Sequence, residues 1–471
     1  MKLNDIAEFV TDKISSGSIS LDRYVTTDSL LQNRRGRETA QNLPPMPCAL
    51  THYRQGDVLV ANIRPYLKKV WYADSEGGCS SDVLVFRAKN GHCSSFLYTV
   101  LMQDAFFDYA MSGAKGSKMP RGDKDQIMRY ELPTLTPMEE ENIGNMMVDI
   151  MSKINVNRQI NDNLEAIAKQ LYDYWFVQFD FPNEEGKPYK SSGGAMVYNE
   201  RLKREVPIGW EVENLIDFAE IKNGATPSTA DEANYGGDIV WVTPKDLSDQ
   251  QSKFVYQGER NITKQGFDSC STSMLPTNSV LMSSRAPIGL VSIAKHEVCT
   301  NQGFKSFIPK NISDSIYLYY YIKHHIKQIE QLGTGTTFKE VSRDDLCKFP
   351  ILTIGAKDIY VQWIELQNGI ADKQLALTKE IAALTKQRDE LLPLLMNGQV
   401  TVNYHLSVVN VVARLPFYRR LLIFMYCFIL LLLSRLSWYN KNVRLQEMRD
   451  VVKGVIKEVA LKWIVTCYDR D

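Results

Sequence analysis

The chain has 471 residues, 44% hydrophobic and 23% charged, which excludes a single ordinary core and also excludes a disordered protein. Its 55 basic residues balance its 55 acidic residues, so bulk charge alone would not hold it strongly on DNA. None of the eight cysteines forms a C-x-x-C pair and no signal peptide is recognisable, so neither zinc nor disulfides are indicated and a cytoplasmic location is expected.

The first 136 residues alternate short apolar segments with Gly, Pro and polar loops, a pattern typical of a mixed α/β domain. Residues 58–61 and 83–86 are predicted to be strands, and 96–110 a helix. A much longer helix is expected over 137–180, because apolar residues recur there every seven positions. At about 1.5 Å per residue, it would span roughly 50 Å.

Asparagines interrupt the apolar seam of this helix at Asn157 and Asn161, where they could set the register of a helix pair or face solvent at a bend. A linker is predicted over 181–205, and residues 183–199 are expected to form a loop because of their Gly, Ser and Lys content. The apolar seam residues of the helix are Ile143, Ile150, Leu164 and Leu171.

The chain then repeats itself. Val58 corresponds to Val280, Cys79 to Cys299, and further motifs match at offsets of about 220 positions, which indicates two homologous modules. The second module is predicted over 206–355, with strands at 239–242 and 279–282 and a helix at 315–332. A second long helix follows over 356–400, with its seam at Trp363, Ile370, Leu377, Leu384 and Leu391.

The two long helices share period and length, so they are expected to pair as an antiparallel coiled coil that separates the modules. The alternative is that each helix packs on its own module. The predicted fold class is therefore α+β, with two tandem mixed α/β domains and two long helices between them.

Residues 401–471 have no counterpart in the first module. Residues 403–471 carry 11 Lys and Arg against 5 Asp and Glu, which leaves a mildly acidic body of 44 basic and 50 acidic residues. Residues 421–433 are all apolar, but a bilayer span needs about twenty such residues. This tail is either a membrane helix or a non-functional extension produced by gene rearrangement, and the sequence leaves both open.

Catalytic motifs are not recognisable. Residues 113–118 contain Gly and Lys, but not at the spacing of a phosphate-binding loop. Residues 42–46 have the two prolines of an amino-methyltransferase motif without its aromatic residue. His324 and His325 have no Glu or Cys at ligand spacing, so no metal site is predicted.

Several long motifs resemble the specificity subunits of type I restriction–modification systems. They are the helix end at 171–182, the linker segments at 186–194 and 207–210, and the module segments at 224–228, 237–247, 335–338 and 116–124. The resemblance covers residues 1 to about 400 and implies that the two modules are target-recognition domains, each reading one half-site of a bipartite double-stranded DNA target.

The resemblance also implies a non-catalytic subunit. Methyltransferase subunits would dock on the helices and bring S-adenosylmethionine, and a restriction and translocase subunit would bring ATP and Mg²⁺. No membrane partner is expected. Two alternatives stay open, a membrane-tethered coiled-coil adaptor and an enzyme fused to a DNA reader.

DNA contacts are expected from Arg, Lys and Thr side chains in the loops of both modules, where phosphates and base edges could be reached. Arg64 before Pro65 and Arg285 near Pro287 recur in roughly equivalent loops, which strengthens both. The candidates are Arg64, Lys68, Lys69, Lys115, Lys118, Arg121, Lys124, Lys222, Thr226, Ser228, Lys245, Arg285, Thr336, Thr337 and Lys339.

Overall fold

Two mixed α/β modules and two long helices make up the part of the chain that the computed structural model describes, residues 1–116, 118–250, 252–335, 339–355 and 357–400. The tail and Thr336 and Thr337 lie outside these residues. The elements of module one are α1 (Leu3–Ile6), β1 (Ala7–Phe9), β2 (Lys13–Ser15), β3 (Tyr24–Val25), β4 (Ala49–Tyr53), β5 (Val58–Ala61), β6 (Val70–Tyr72), β7 (Gly77–Cys79), β8 (Val83–Ala88), α2 (Ser94–Leu101), α3 (Asp104–Ser112) and α4 (Lys124–Ile127).

Module one contains an antiparallel sheet in the order β1-β8-β5-β6 and a second sheet in the order β2-β4-β7-β3. The central strands β5 and β8 consist of Val, Leu, Phe and Ala at their buried positions, as strands covered on both faces require. Helices α2 and α3 cover one face of the first sheet with Phe96, Leu97 and Phe106.

The first long helix, α5 (Pro137–Tyr172), begins at a capping box of Thr136 and Glu139 and ends in a π-helical turn, Asp173–Val177. The linker and module two then contain β9 (Met196–Asn199), β10 (Arg204–Pro207), β11 (Glu211–Asn214), α6 (Leu215–Phe218), β12 (Ala219–Asn223), β13 (Tyr235–Val242), α7 (Pro244–Gln250), β14 (Phe254–Val255), β15 (Asn261–Ile262), α8 (Lys264–Asp268), β16 (Val280–Ser284), β17 (Ile288–Ala294), β18 (Cys299–Thr300), β19 (Phe304–Pro309), α9 (Ser315–His324), α10 (Ile326–Leu332), α11 (Arg343–Lys348) and β20 (Pro350–Thr353).

Module two repeats the plan of module one. Its main sheet has the order β12-β19-β16-β17-β14, and a smaller sheet has the order β15-β13-β18. Strand β11 pairs with β20, and the linker strands β9 and β10 form a separate hairpin. The second long helix, α12 (Lys357–Met396), follows β20.

Helices α5 and α12 lie antiparallel. Gln367, early in α12, donates to the carbonyl of Ala168, late in α5, whereas Arg388, late in α12, reaches the sulfur of Met151. The pattern of buried, half-buried and exposed residues over 151–172 is repeated without change over 371–392. Such a match is what a pseudo-twofold axis across the helix pair produces. The predicted fold class, two tandem α/β domains with two antiparallel helices, is confirmed.

Each module core contains the ends of both long helices. The core of module one includes Ile143 and Met147 from α5 together with Leu395 from α12. The core of module two includes Trp363 from α12 together with Trp175 from the turn after α5. The helix pair therefore forms part of the core of both modules. Each module buries some of its apolar surface against the long helix that follows the other module.

Polar contacts join the middle of the helix pair. Asn157 Nδ2 donates to Glu380 Oε2 at 2.8 Å, and Lys153 Nζ lies 2.6 Å from Glu380 Oε1. The pseudo-twofold equivalents are Leu377 for Asn157 and Ile160 for Glu380, so the polar contact occurs on one side of the axis only. Polar contacts on one side of an otherwise apolar seam favour one register of the helix pair over others.

Three predictions of local structure need correction. The helix predicted over 96–110 is interrupted at Gln103, whose backbone is extended, because Arg34 donates to the carbonyl of Met102. The helix predicted over 315–332 breaks at His325, whose ring Nδ1 donates a hydrogen bond to the Tyr321 carbonyl. The loop predicted over 183–199 ends in β9, which pairs with β10.

Candidate DNA interface

Several loops of module two meet at one end of its main sheet. The pairs β12–β19, β19–β16 and β16–β17 are antiparallel, so β12 and β16 end where β19 and β17 begin. Ser284 links these loops, since its amide donates to the Gly303 carbonyl and its carbonyl accepts from Val341. We define loop cluster 2 as residues 224–228, 285–287, 301–303, 334–335 and 339–340.

Module one has the equivalent arrangement. Three backbone hydrogen bonds join its loops. The amides of Asn62, Gly122 and Arg64 donate to the backbone carbonyls of Asp82, Asn62 and Pro120, respectively. We define loop cluster 1 as residues 62–69, 80–82, 115–116 and 118–121. The two clusters follow homologous strands, so each module offers the same type of surface.

The backbone repeats in detail. Arg64 has φ 52° before Pro65, and Ala286 has φ 49° before Pro287. The left-handed region is unfavourable for residues other than glycine, so two occurrences at matched positions indicate a loop shape that the fold imposes. The side chain equivalent to Arg64 is that of Ala286, one residue after the Arg285 that the sequence comparison had singled out.

A second loop lies beside each of these. Lys115 pairs with Arg121 and Thr334 pairs with Glu340 as isolated β-bridges, 219 positions apart. Gly116 at φ 98° and Gly335 at φ 121° follow the first residue of each bridge, at backbone angles that only glycine adopts readily.

In loop cluster 1, Arg64 is exposed, and no ion pair of its side chain occurs among the described residues. Arg121 lies 3.1 Å from Asp82, and Lys115 lies 3.1 Å from Asp123. Hydrogen bonds from the backbone of Gln126 and from Lys115 lower the pKa of Asp123. Lys118 and, beside the cluster, Lys124 are also exposed.

Two candidates of module one point inward. Lys68 Nζ lies 2.5 Å from Asp104, which also pairs with Arg34. Lys69 Nζ donates to the carbonyl of Thr27 at 2.5 Å, and burial lowers the pKa of its ammonium. Both support the loop from within, and their role as DNA contacts stays a prediction.

In loop cluster 2, one carboxylate forms ion pairs with two cations. Glu340 lies 3.2 Å from Lys305 Nζ and 3.6 Å from Arg285 Nη1. Thr226 donates to Gln302, and both lie within the cluster. Lys339 is exposed. Ser228, at the edge of the cluster, is also exposed. The candidates beside the cluster are Lys222, paired with Glu220, and Lys245, paired with Glu259.

Several polar residues at this end of the sheet were not predicted from the sequence. Asn223 and Arg343 line a cleft of about 370 Å³ with Lys305 and Glu340, and Gln302 is exposed two residues before β19. Asn and Gln amides are suited to reading adenine edges. The repeat could have indicated them, because they lie beside strand ends whose counterparts were recognised.

The spacer-helix residues are placed as follows. Ile143, Trp363 and Leu377 are buried, whereas the other predicted seam residues are half-buried. A straight helix drifts about 20° per heptad, so the buried stripe moves off a strict seven-residue seam towards Met151 and Tyr172. The half-buried residues are Ile150, Leu164, Leu171, Ile370, Leu384 and Leu391.

Comparisons with known proteins agree with this architecture. Residues 207–393 match the model of the type I restriction modification DNA specificity domain. The chain is 24% identical to the type I restriction enzyme HindI specificity subunit of Haemophilus influenzae, over 84% of this chain and 98% of that protein. The chain is therefore similar to type I restriction enzyme specificity subunits over most of its length, and residues 207–393 match their DNA specificity domain.

Two further proteins are similar to this chain. It is 41% identical to the MjaIX specificity subunit of Methanocaldococcus jannaschii over 144 residues, a match that spans 30% of this chain and only 33% of that protein. The crystal structure of the S subunit from M. genitalium has a TM-score of 0.51 at 13% identity, covering 84% of this chain and 95% of that one, and shows the shared fold.

Among the helices that the structure describes, none combines the length and the apolar character of a membrane span. The apolar segment at 421–433 lies outside the described residues, so its two interpretations stay open.

Proposed function

We propose that this chain reads a bipartite sequence in double-stranded DNA, with loop cluster 1 contacting one half-site and loop cluster 2 the other. The observation that carries this proposal is the duplication of the loop clusters, each built from matched strand ends with matched backbone angles. The exposed side chains differ between the clusters, so the two half-sites should differ in sequence.

The helix pair supports a fixed distance between the two half-sites. Its ends lie in the cores of both modules, so the modules cannot separate without exposing apolar surface. Two readers on a rigid spacer recognise half-sites at a set spacing along the duplex.

Catalysis is assigned to partners. Methyltransferase subunits would bind the exposed faces of α5 and α12 and carry S-adenosylmethionine, and a restriction and translocase subunit would carry ATP and Mg²⁺. The purified chain should transfer no methyl group from labelled S-adenosylmethionine to DNA, and should do so only with methyltransferase subunits added. Methyl transfer by the chain alone would contradict this assignment.

Exchange of one module tests the reading function. Replacing residues 206–352 with the matching region of a relative, in cells that contain the partner subunits, should change one half-site of the methylated sequence. Sequencing of methylated bases measures both half-sites and the spacer together. A change in both half-sites, or in neither, would contradict the proposal.

A further inference from the structure

The linker hairpin covers a cavity that the reading of DNA does not explain. The cavity, about 270 Å³, lies between the turn of the β9–β10 hairpin, the end of α5 and the C-terminal part of α9. We call it the linker pocket. Arg201, Lys203 and Arg204 line it from the hairpin, and His324 and His325 line it from α9 and the residue that follows.

The three hairpin cations have only neutral partners. Arg201 donates to the Val212 carbonyl at 3.2 Å and to Asn214 Oδ1 at 2.7 Å. Arg204 donates to the Val177 carbonyl at 2.5 Å. No carboxylate of the described ranges lies within 4.0 Å of Arg201, Lys203 or Arg204. Neutral acceptors satisfy N–H groups but leave the positive charge uncompensated.

This absence differs from the loop clusters, where Asp82, Asp123 and Glu340 each lie beside a cation. Beside the linker pocket, Asp173 lies 3.8 Å from His324 Nδ1 and is itself paired with Lys169. The pocket therefore combines three unneutralised cations with a partly enclosed space.

Burial and the nearby cations lower the pKa of both histidines of the linker pocket. Burial lowers the pKa of His324, with Arg204 and Lys169 acting in the same direction and Asp173 opposing them. Burial, His324 and Arg204 lower the pKa of His325 to about 4, against the hydrogen bond to the Tyr321 carbonyl. Both rings are neutral near pH 7, and a bound anion would favour their protonation.

We propose that the linker pocket binds a small phosphate-bearing molecule, held by Arg201, Lys203 and Arg204. A guanidinium presents paired N–H donors that match phosphate oxygens, and a partly enclosed site strengthens each contact. The volume admits a phosphate group with a small attached moiety. A DNA duplex could present only a backbone phosphate at the mouth.

The linker pocket lies apart from both loop clusters. Its lining shares no residue with loop cluster 1 or loop cluster 2, and its cations come from the β9–β10 hairpin in the linker before module two. This separation favours a ligand that is not part of the DNA target.

Isothermal titration of the full chain with inorganic phosphate, AMP and ATP tests the proposal, with a short duplex as a separate arm. The double variant Arg201→Gln/Lys203→Gln should weaken binding of the best probe by about tenfold or more. Lys187→Gln/Lys190→Gln, in the same linker but outside the pocket lining, is the charge-matched control and should bind like the wild type. Titration at about pH 6 in buffers of different ionisation enthalpy should show proton uptake on binding.

The titrations distinguish the proposal from its alternatives. Equal binding by the double variant and the wild type, or no binding of any probe at millimolar concentration, would overturn the proposal. Loss of duplex affinity in the double variant without any binding of the small probes would also overturn it, and would assign the cations to the DNA backbone. DNA reading by the wild type is measured in the same preparation, so failure of the proposed function would be seen separately.

Discussion

Arg64 and Ala286 occupy equivalent positions in the two modules, each in the left-handed region and each followed by a proline at the end of a homologous strand. The two loops thus place a long cation in module one and a methyl group in module two at equivalent positions, although the peptide bond before Pro287 is cis and the one before Pro65 is not. Both loops lie at the end of the sheet where the neighbouring strand begins, which makes them the first places to test for DNA contact.

Replacing Arg64 with Ala should weaken DNA binding through loop cluster 1. If Arg64 contacts a phosphate, the slope of log affinity against log salt should fall by about 1, because one fewer counterion is released. Fluorescence anisotropy with a target duplex across a range of salt measures this. Lys89→Ala is the control, because Lys89 is exposed after β8, at the other end of the same sheet. Unchanged affinity and slope for the Arg64 variant would remove it from the interface.

Replacing Glu340 with Gln should strengthen non-specific DNA binding severalfold and reduce the ratio of specific to non-specific affinity. The carboxylate neutralises Lys305 and Arg285, so its loss frees positive charge in loop cluster 2. Competition between target and random duplexes measures both affinities. Glu297→Gln, at the opposite end of β17, should leave the ratio unchanged. A weaker affinity for random DNA would show that Glu340 acts otherwise.

Lengthening both long helices by seven residues should lengthen the spacer between the half-sites. Seven residues add about 10 Å, close to three base pairs of B-DNA. Insertion after residues 161 and 381, which are pseudo-twofold equivalents, keeps the ends of each helix in their module cores. Methylation sequencing measures the spacer. Weaker binding is also expected, since one reader rotates around the duplex, whereas an unchanged spacer at unchanged affinity would contradict the role of the helices.

Lys253 ties module two to both long helices and should make its stability depend on pH. Its Nζ lies 2.7 Å from the Tyr320 hydroxyl and 3.4 Å from both Glu165 and Gln374. Burial, opposed by Glu165, lowers the pKa of Lys253 from 10.5 to about 8. Between these two values the unfolded chain binds more protons at this site than the folded chain. The free energy of unfolding should therefore rise with pH there, by at most about 1.4 kcal/mol per pH unit.

Chemical denaturation of wild type and Lys253→Met at several pH values checks this. The variant should lack the part of the rise that belongs to Lys253, while Lys264→Met, a change at an exposed lysine, should retain it. The same pH dependence in wild type and Lys253→Met would show that the buried ammonium does not change its charge in this window.

Deleting residues 404–471 should leave the methylated sequence unchanged and make the protein easier to keep in solution, because the apolar segment at 421–433 is removed. A chain that ends at residue 390 is the informative comparison. It lacks Leu392, Leu395 and Met396, which are buried in the core of module one. It should lose stability in module one, since each large apolar side chain deleted from a core costs about 2–5 kcal/mol. Loss of modification by the 404–471 deletion at normal expression would assign the tail to the working subunit.

Much of the architecture follows from local pattern. The 220-residue offset between Val58 and Val280 and between Cys79 and Cys299 predicts two copies of one domain, because homologous sequences adopt one fold. The seven-residue recurrence from Ile143 and from Trp363 predicts two long helices, because side chains spaced by about two turns share a face. These properties depend on neighbours in the chain, so the sequence alone determined them.

The tertiary structure decided which distant residues meet. Leu395 completes the core of module one and Trp175 that of module two, although each lies in or after the helix that follows the other module. Glu340 neutralises Lys305 and Arg285, and Arg201 lines the linker pocket. These contacts join loops that lie far apart in the sequence, so sequence separation does not predict them. Charge pairing and core packing depend on distances in space, and those distances are decided by the strand pairing within each module and by the antiparallel packing of the helix pair.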